Sequence, residues 1–177
     1  MVSQLKVNEI IKQSGSSITI GEDGDTVSGP FTNVPAFFVS KTSTQSVSSD
    51  TLTLVTWDSE VIDTDNAFAS NKFTVPSGKG GIYYFGCILR GTCTANTAEF
   101  MFINFYKNGS RSYVPIFPQT TANNMSNSKW YGSIVYQLVA GDYIEVYGNN
   151  SGASAGFGGS SDLESQSNFF GYRLIGA

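Results

Sequence analysis

The sequence predicts an all-β protein organised around one central strand, and three observations carry that prediction. Only 14% of the 177 residues are charged, whereas Gly (19), Phe (13) and Tyr (9) are abundant, a mixture suited to many strands and turns. No stretch sustains a helical apolar period. The run Gly80-Gly-Ile-Tyr-Tyr-Phe-Gly-Cys-Ile-Leu89 is rich in branched and aromatic residues and has neither charge nor proline, which is strand composition.

Read at period two, Ile82, Tyr84 and Ile88 point one way, and Tyr83, Phe85, Cys87 and Leu89 the other. Both faces are apolar, so both need covering. One side is expected to meet the domain's own core, and the other a second sheet, another element or another subunit.

Residues 1–33 differ in character from the remainder of the chain. Leu5, Val7, Ile10 and Ile11 give a short strand-like pattern, and Ser17-Ile-Thr-Ile-Gly21 a second, closed by the acidic turn Gly21-Glu-Asp-Gly-Asp25. Two such strands bury no core of their own. Residues 1–33 therefore read either as a ragged terminus or, the preferred reading, as an attachment segment that orders against a partner or its symmetry mates. Residues 34–177 are expected to form the domain.

Within the domain the expected strands run in order. Pro35-Ala-Phe-Phe-Val-Ser40 comes first, and a Ser/Thr-rich connection leads from it to Asp50. Thr53-Leu-Val-Thr-Trp-Asp58 and Asn71-Lys-Phe-Thr-Val75 come next, and Pro76-Ser-Gly-Lys-Gly-Gly81 turns into the central strand. Glu99-Phe-Met-Phe-Ile-Asn-Phe-Tyr106 is again apolar on both faces. Lys107-Asn-Gly-Ser110 is a hairpin turn, since Asn-Gly accepts the positive φ angles of tight hairpins, and 111–116 returns. Segments 133–139 and 143–147 form the next pair, joined by Ala140-Gly-Asp142, and 168–175 closes the chain.

Several functions are excluded by composition. A net charge of −4 leaves no electrostatic footprint for nucleic acid. No run of about 18 apolar residues is long enough to span a bilayer, and the N-terminus lacks a hydrophobic signal region. With no histidine, catalytic triads and His-based zinc sites are out of reach, and no enzyme activity or cofactor is expected. Glu22-Asp-Gly-Asp25 and Asp63-Thr-Asp-Asn66 offer oxygen ligands that calcium could use. Both lack the remainder of a calcium loop and read as solvated turns, so no metal is expected. Cys87 and Cys93 would lie about 20 Å apart on one extended strand, beyond bridging distance. A turn at Gly91 would bring them closer; two thiols are the preferred reading.

Two resemblances add to this. Gln4-Leu-Lys-Val-Asn-Glu-Ile10, Ser17-Ile-Thr-Ile-Gly21 and Gly24-Asp-Thr-Val27 resemble the N-termini of virion structural and fibre proteins of tailed bacteriophages. In the domain, six pieces fall in order: Pro35-Ala-Phe-Phe-Val-Ser40, Lys72-Phe-Thr-Val-Pro76, Gly81-Ile-Tyr-Tyr-Phe85, Lys107-Asn-Gly109, Tyr136-Gln-Leu-Val-Ala-Gly-Asp142 and Asn168-Phe-Phe-Gly-Tyr-Arg-Leu174. Together they resemble the complement component 1q globular head, a relative of the tumour-necrosis-factor jelly roll. The resemblance implies a jelly-roll sandwich of about ten strands, a homotrimer, and binding rather than catalysis.

The residues agree on why such a domain would trimerise. Phe100, Met101, Phe102, Ile103, Phe105 and Tyr106 cannot all enter one core, and a subunit interface would cover the surplus. The expected interface residues are Tyr83, Phe85, Phe100, Phe102, Tyr106, Phe170 and Tyr172. If strands alternate in direction, the tight turns at 107–110 and 140–142 share one end, and the long connections 91–98, 117–131 and 148–167 crown the other. The resemblance places both termini at the tight-turn end. Small polar residues with a few aromatics in the crown suit adaptable binding loops, and equally suit plain solvated connections. The candidate ligand contacts are Asn123, Asn124, Lys129, Trp130, Tyr131, Asn149, Asn150 and Phe157. Trp130 and Tyr131 could instead begin the next strand and pack inward.

The functional expectation is a trimeric phage fibre or spike, located in the virion and made in the host cytoplasm. Residues 1–33 would hold it to other virion proteins, and its head would bind a host cell-surface glycan or protein. The alternative is a structural head-fibre or capsid or tail decoration trimer with no receptor of its own.

Overall fold

A computed structural model describes residues 34–116, 127–161 and 167–176. The proposed attachment segment lies outside the described residues, as does most of connection 117–131. No helix occurs among the described residues. The strands are β1 (Ala36–Lys41), β2 (Gln45–Ser46), β3 (Thr53–Leu54), β4 (Ser59–Asp63), β5 (Phe68–Ala69), β6 (Lys72–Thr74), β7 (Gly81–Thr92), β8 (Met101–Lys107), β9 (Ser110–Ile116), β10 (Ser128–Leu138), β11 (Tyr143–Asn150), β12 (Gly156–Phe157) and β13 (Ser167–Gly176).

They form two antiparallel sheets. In sheet A the strands run β10, β7, β13, β1, β4, with β12 pairing the end of β7 and β2 pairing β12. In sheet B they run β5, β6, β11, β8, β9, with β3 also on β11. The glycine-led run from Gly81 is central: β7 pairs with β10 along 81–91 and with β13 along 81–88. Its period-two reading holds. Tyr83, Phe85, Cys87 and Leu89 are buried, whereas Ile82, Tyr84 and Ile88 keep exposure on the opposite face.

The core between the sheets is aromatic. Phe37 stacks on Phe68 and Phe73 at 5.1 and 4.9 Å and meets Phe169 edge-on at 4.8 Å. Such pairs contribute about 0.5–1.5 kcal/mol each beyond their buried area. Tyr83 enters the same core because its hydroxyl reaches the Lys79 carbonyl at 2.6 Å. Burial pushes that hydroxyl's pKa up to about 12.

Three segments depart from the sequence expectation. The strand expected at 53–58 is regular only at β3. Beyond it the chain crosses between sheets: the Val55 amide donates to Val146 of sheet B, and the Asp58 amide to Ser40 of sheet A. The crossing produces β4, whose Ser-Glu-Val-Ile-Asp sequence has no strict alternation because an edge strand need bury little. The strands flanking Ala140-Gly-Asp142 are tightly joined but are not hydrogen-bonded partners. Leu138 ends in sheet A beside Gly81, and Tyr143 starts in sheet B beside Thr74. The Asn108–Gly109 hairpin is as expected, with φ of 53° and 75°.

Neither cysteine forms a disulfide. Cys87 is fully buried, and burial pushes its thiol well above the ordinary value. Cys93 comes directly after the last residue of β7.

Candidate functional site

Strand direction sorts the connections into two ends. The turns at 64–66, 76–80, 108–109 and 139–142 share one end with Val34 and Gly176. At the opposite end lie 42–52, 93–100 and 151–161. The expected asymmetry in loop length holds for the described residues.

The crown is nonetheless far from loose. Asn150 is fully buried, and its amide donates to the Thr92 and Gly156 carbonyls at 2.9 and 3.2 Å. Its carbonyl oxygen accepts from the Gly152 amide at 3.0 Å. This side chain ties the ends of β7 and β11 to the glycine-rich run after them. The run's small residues permit close approach: a Cβ on Gly159 would come within 2.3 Å of the Ser43 backbone, and one on Gly152 within 2.4 Å of Cys93 Cβ.

These facts correct several expected ligand contacts. Phe157 is 1% exposed, belongs to β12 and fills the sandwich core. Asn150 is structural. Asn149 is buried on the other side of β11 and donates to Asp50 Oδ1 at 3.3 Å. Trp130 is already within β10, opposite Leu89, and packs inward against both core clusters. Lys129 and Tyr131 are exposed, but on a strand rather than a loop. Asn123 and Asn124 lie outside the described residues. What the described crown presents is a small polar rim, including Ser48, Asp50, Thr94, Asn96 and Ser154.

The expected interface residues divide in three. Tyr83 and Phe85 are 0% exposed inside the single chain, so they offer no surface to another subunit. The central strand's odd-numbered face is the core face. Phe100, Phe102 and Tyr106 belong with sheet B. Phe102 stacks on Phe100 at 5.9 Å, and Tyr106 meets Tyr147 at 4.1 Å on the sheet's outer surface. Only Phe170 and Tyr172 reach the outer face of sheet A.

That face carries several of the exposed large hydrophobic residues, among them Ile62, Val135 and Tyr172. Register aligns Ile62, Phe38, Phe170, Gly86 and Ser133 in one row, and Ala36, Tyr172, Tyr84 and Val135 in the next. Phe38 and Phe170 stack at 6.3 Å, and Tyr84 lies 5.6 Å from Tyr172. The Tyr84 hydroxyl hydrogen-bonds to that of Tyr131. Val135 is 54% exposed and Tyr172 42%. Isolated exposed apolar residues are unremarkable, but a contiguous aromatic row marks an interaction surface. Sequence reasoning missed Phe38, Tyr84 and Val135, although alternation from the buried Phe37 and Phe85 would have found the first two.

The acidic turn at 63–66 is a closed structural unit. Asp63 Oδ1 accepts from the amides of Asp65 and Ala67, and Oδ2 from that of Phe68 at 2.8 Å. No group of three or more metal-ligating side chains occurs among the described residues. The cluster at 22–25 lies outside them.

The architecture is that of a known class. The chain is similar to the globular domain of zebrafish complement 1qA protein, at 15% identity and a TM-score of 0.54, over 81% of this chain and 99% of that one. It is also similar to murine APRIL, at 17% identity and a TM-score of 0.52, over 80% and 100%. A second structure of murine APRIL gives 15% and 0.55. The fold is therefore the jelly roll of the complement 1q and tumour-necrosis-factor type. No protein-family model matches the chain, and no curated protein matches it in sequence.

Proposed function

We propose that this chain is a homotrimeric, non-enzymatic binding module of a virion fibre or spike. Residues 1–33 attach it to other virion proteins, and the domain meets a glycan or protein on the host cell surface. The observation that carries the trimer is the aromatic row on the outer face of sheet A. Covering these partly exposed rings with a neighbouring subunit contributes about 25 cal/mol per Å² of apolar surface. The virion setting is supported by the N-terminal resemblance, and binding at the far end by the separation of short turns from long connections. Localisation in the particle rests on the same reading.

A second reading is favoured by the crown itself. With Phe157 and Trp130 turned inward, its described rim is small and polar and lacks the rigid aromatic anchors that dominate many interfaces. This suits a head-fibre or decoration trimer with no receptor. Light scattering on the purified chain should report three copies. Labelled trimers incubated with host cells and with particles lacking the protein then separate the readings. Cell binding supports the fibre; particle docking without cell binding supports decoration.

A further inference from the structure

The two sheets do not close along one flank. Between the edge strands β4 of sheet A and β5 of sheet B lies a cavity of about 380 Å³, lined by Val39, Trp57, Asp58, Ser59, Glu60, Phe68, Ala69, Ser70 and Asn71. That volume is at the lower end of small-ligand sites, which run from about 300 to 1,000 Å³. We propose that this cavity binds one neutral sugar unit of a surface glycan.

The lining supplies what a sugar needs. Trp57, Phe68 and Val39 form an apolar wall, and both rings are held by the core: Phe68 stacks on Phe37, and Trp57 lies 5.9 Å from Phe169. Trp57 Nε1 is shielded from solvent, so the ring surface rather than the N–H is what a ligand meets. The main chain is pinned beside it, because the Trp57 amide donates to Asn71 Oδ1 at 2.8 Å. That bond uses the Asn71 oxygen and leaves its NH₂ as a donor. Ser59 and Ser70 add hydroxyls, and Glu60 is an exposed carboxylate on the edge strand.

Charge selects among ligands. Among the described residues no Lys or Arg lines the cavity, and two carboxylates do, which disfavours uronic acids, sialic acids and phosphates. A simple amine fits less well than a sugar. Both oxygens of Asp58 are occupied by Thr42 and Ser43, so one carboxylate is left for a cation, and the hydroxyls and amide would be idle. Sugar hydroxyls use all of these groups, and the apolar C–H face of the ring meets Trp57.

The inference deepens the binding-module reading but needs neither a virion nor a trimer, so the isolated protein tests it. In a Trp130→Phe background Trp57 is the sole tryptophan. The methyl glycosides of glucose, galactose, mannose and N-acetylglucosamine would be titrated up to about 100 mM, since single-sugar sites bind weakly. At least one should change Trp57 emission saturably, with glucuronate and ethanolamine giving no saturable change. Glu60→Ala should weaken that binding about tenfold or more, and Ala69→Phe, which narrows the mouth, should abolish it. Both positions are exposed, and unchanged circular dichroism would establish folding. No saturable response to any neutral sugar, saturation by the acid or amine alone, or undiminished binding in Glu60→Ala would each overturn the proposal. Loss of sugar binding with cell attachment intact would leave the receptor reading standing, and the reverse pattern would leave the sugar site standing.

Discussion

The ring of Phe170 lies directly over Gly86 on the outer face of sheet A, so close that a Cβ at residue 86 would come within 2.4 Å of Cζ. The side-chain gap on the central strand is thus filled by the neighbouring strand's aromatic, which levels the row running from Ile62 to Ser133. Gly86→Ala should lift the ring out of that row at a cost of about 1–3 kcal/mol. The expected result is a trimer that dissociates on dilution, read by light scattering. Val135→Glu places a charge on the same face without touching the core and should give a folded monomer. A stable Val135→Glu trimer would show that subunits meet elsewhere.

Asn150 carries the next prediction. It satisfies two carbonyls and one amide in a buried setting, and truncation leaves those groups without partners. Asn150→Ala should therefore destabilise the domain by about 3 kcal/mol, visible as a lower urea midpoint with unchanged slope. Replacing residues 152–159 with a flexible linker should prevent folding altogether. A folded linker variant would mean that the close glycine contacts are dispensable.

This region also shows where the sequence was legible and where it was not. Alternation in β7 sorted its side chains into two faces but, with both faces apolar, did not tell which is core: Tyr83 and Phe85, expected at an interface, are buried inside the single chain. The Asn108–Gly109 turn was legible because its φ angles admit few residues. The run at 152–159 was misread, since glycine serves flexibility and tight packing alike, and only the approach of Ser43, Thr92 and Arg90 tells them apart. Phe157 and Trp130 were placed in loops for a related reason. Two-residue β12 is too short to alternate, and β10 starts at Ser128 within the same Ser/Asn-rich run that precedes it, so the boundary does not show. The sugar-sized cavity was invisible, because it joins residues 39, 57–60 and 68–71 through pairing between distant strands.

Acid should loosen the domain at both ends. Burial pushes the Asp58 carboxyl up, but hydrogen bonds from Ser43 and Thr42 outweigh it and bring the pKa to about 2. Asp142 is held at about 2 chiefly by the Asn108 amide at 2.7 Å, with help from the Val139 amide and from Lys107 at 3.0 Å. Folded-state values below the ordinary 3.8 mean that both groups contribute stability above about pH 4, lost as pH falls towards 2. Asp58→Asn and Asp142→Asn should each flatten the fall in melting temperature across that window. A slope identical to the parent's would remove these carboxylates from the account.

The last prediction separates the roles of residues 1–33 and of the crown. If residues 1–33 attach the protein to the particle, a chain lacking residues 2–33 should still fold and trimerise, because Val34–Ala177 is a compact unit by itself with a core of its own. It should fail to join particles. At the crown of the domain, Ala95 and Ala153 are exposed on neighbouring connections, tied together by the Thr94 amide donating to the Ala153 carbonyl at 2.8 Å. Arginine at both positions alters the rim's shape and charge while leaving the Asn150 tie intact. Because a trimer presents three sites and a particle many trimers, avidity can raise attachment by about 10²–10⁴ over one site. The test must therefore use isolated trimers as well as particles. Crown-mediated binding predicts that the double arginine variant assembles normally and loses cell attachment. Attachment that survives there but is lost in Glu60→Ala would move the contact from the crown to the flank cavity. Attachment that survives in both would argue for a decoration trimer, with another virion protein meeting the cell.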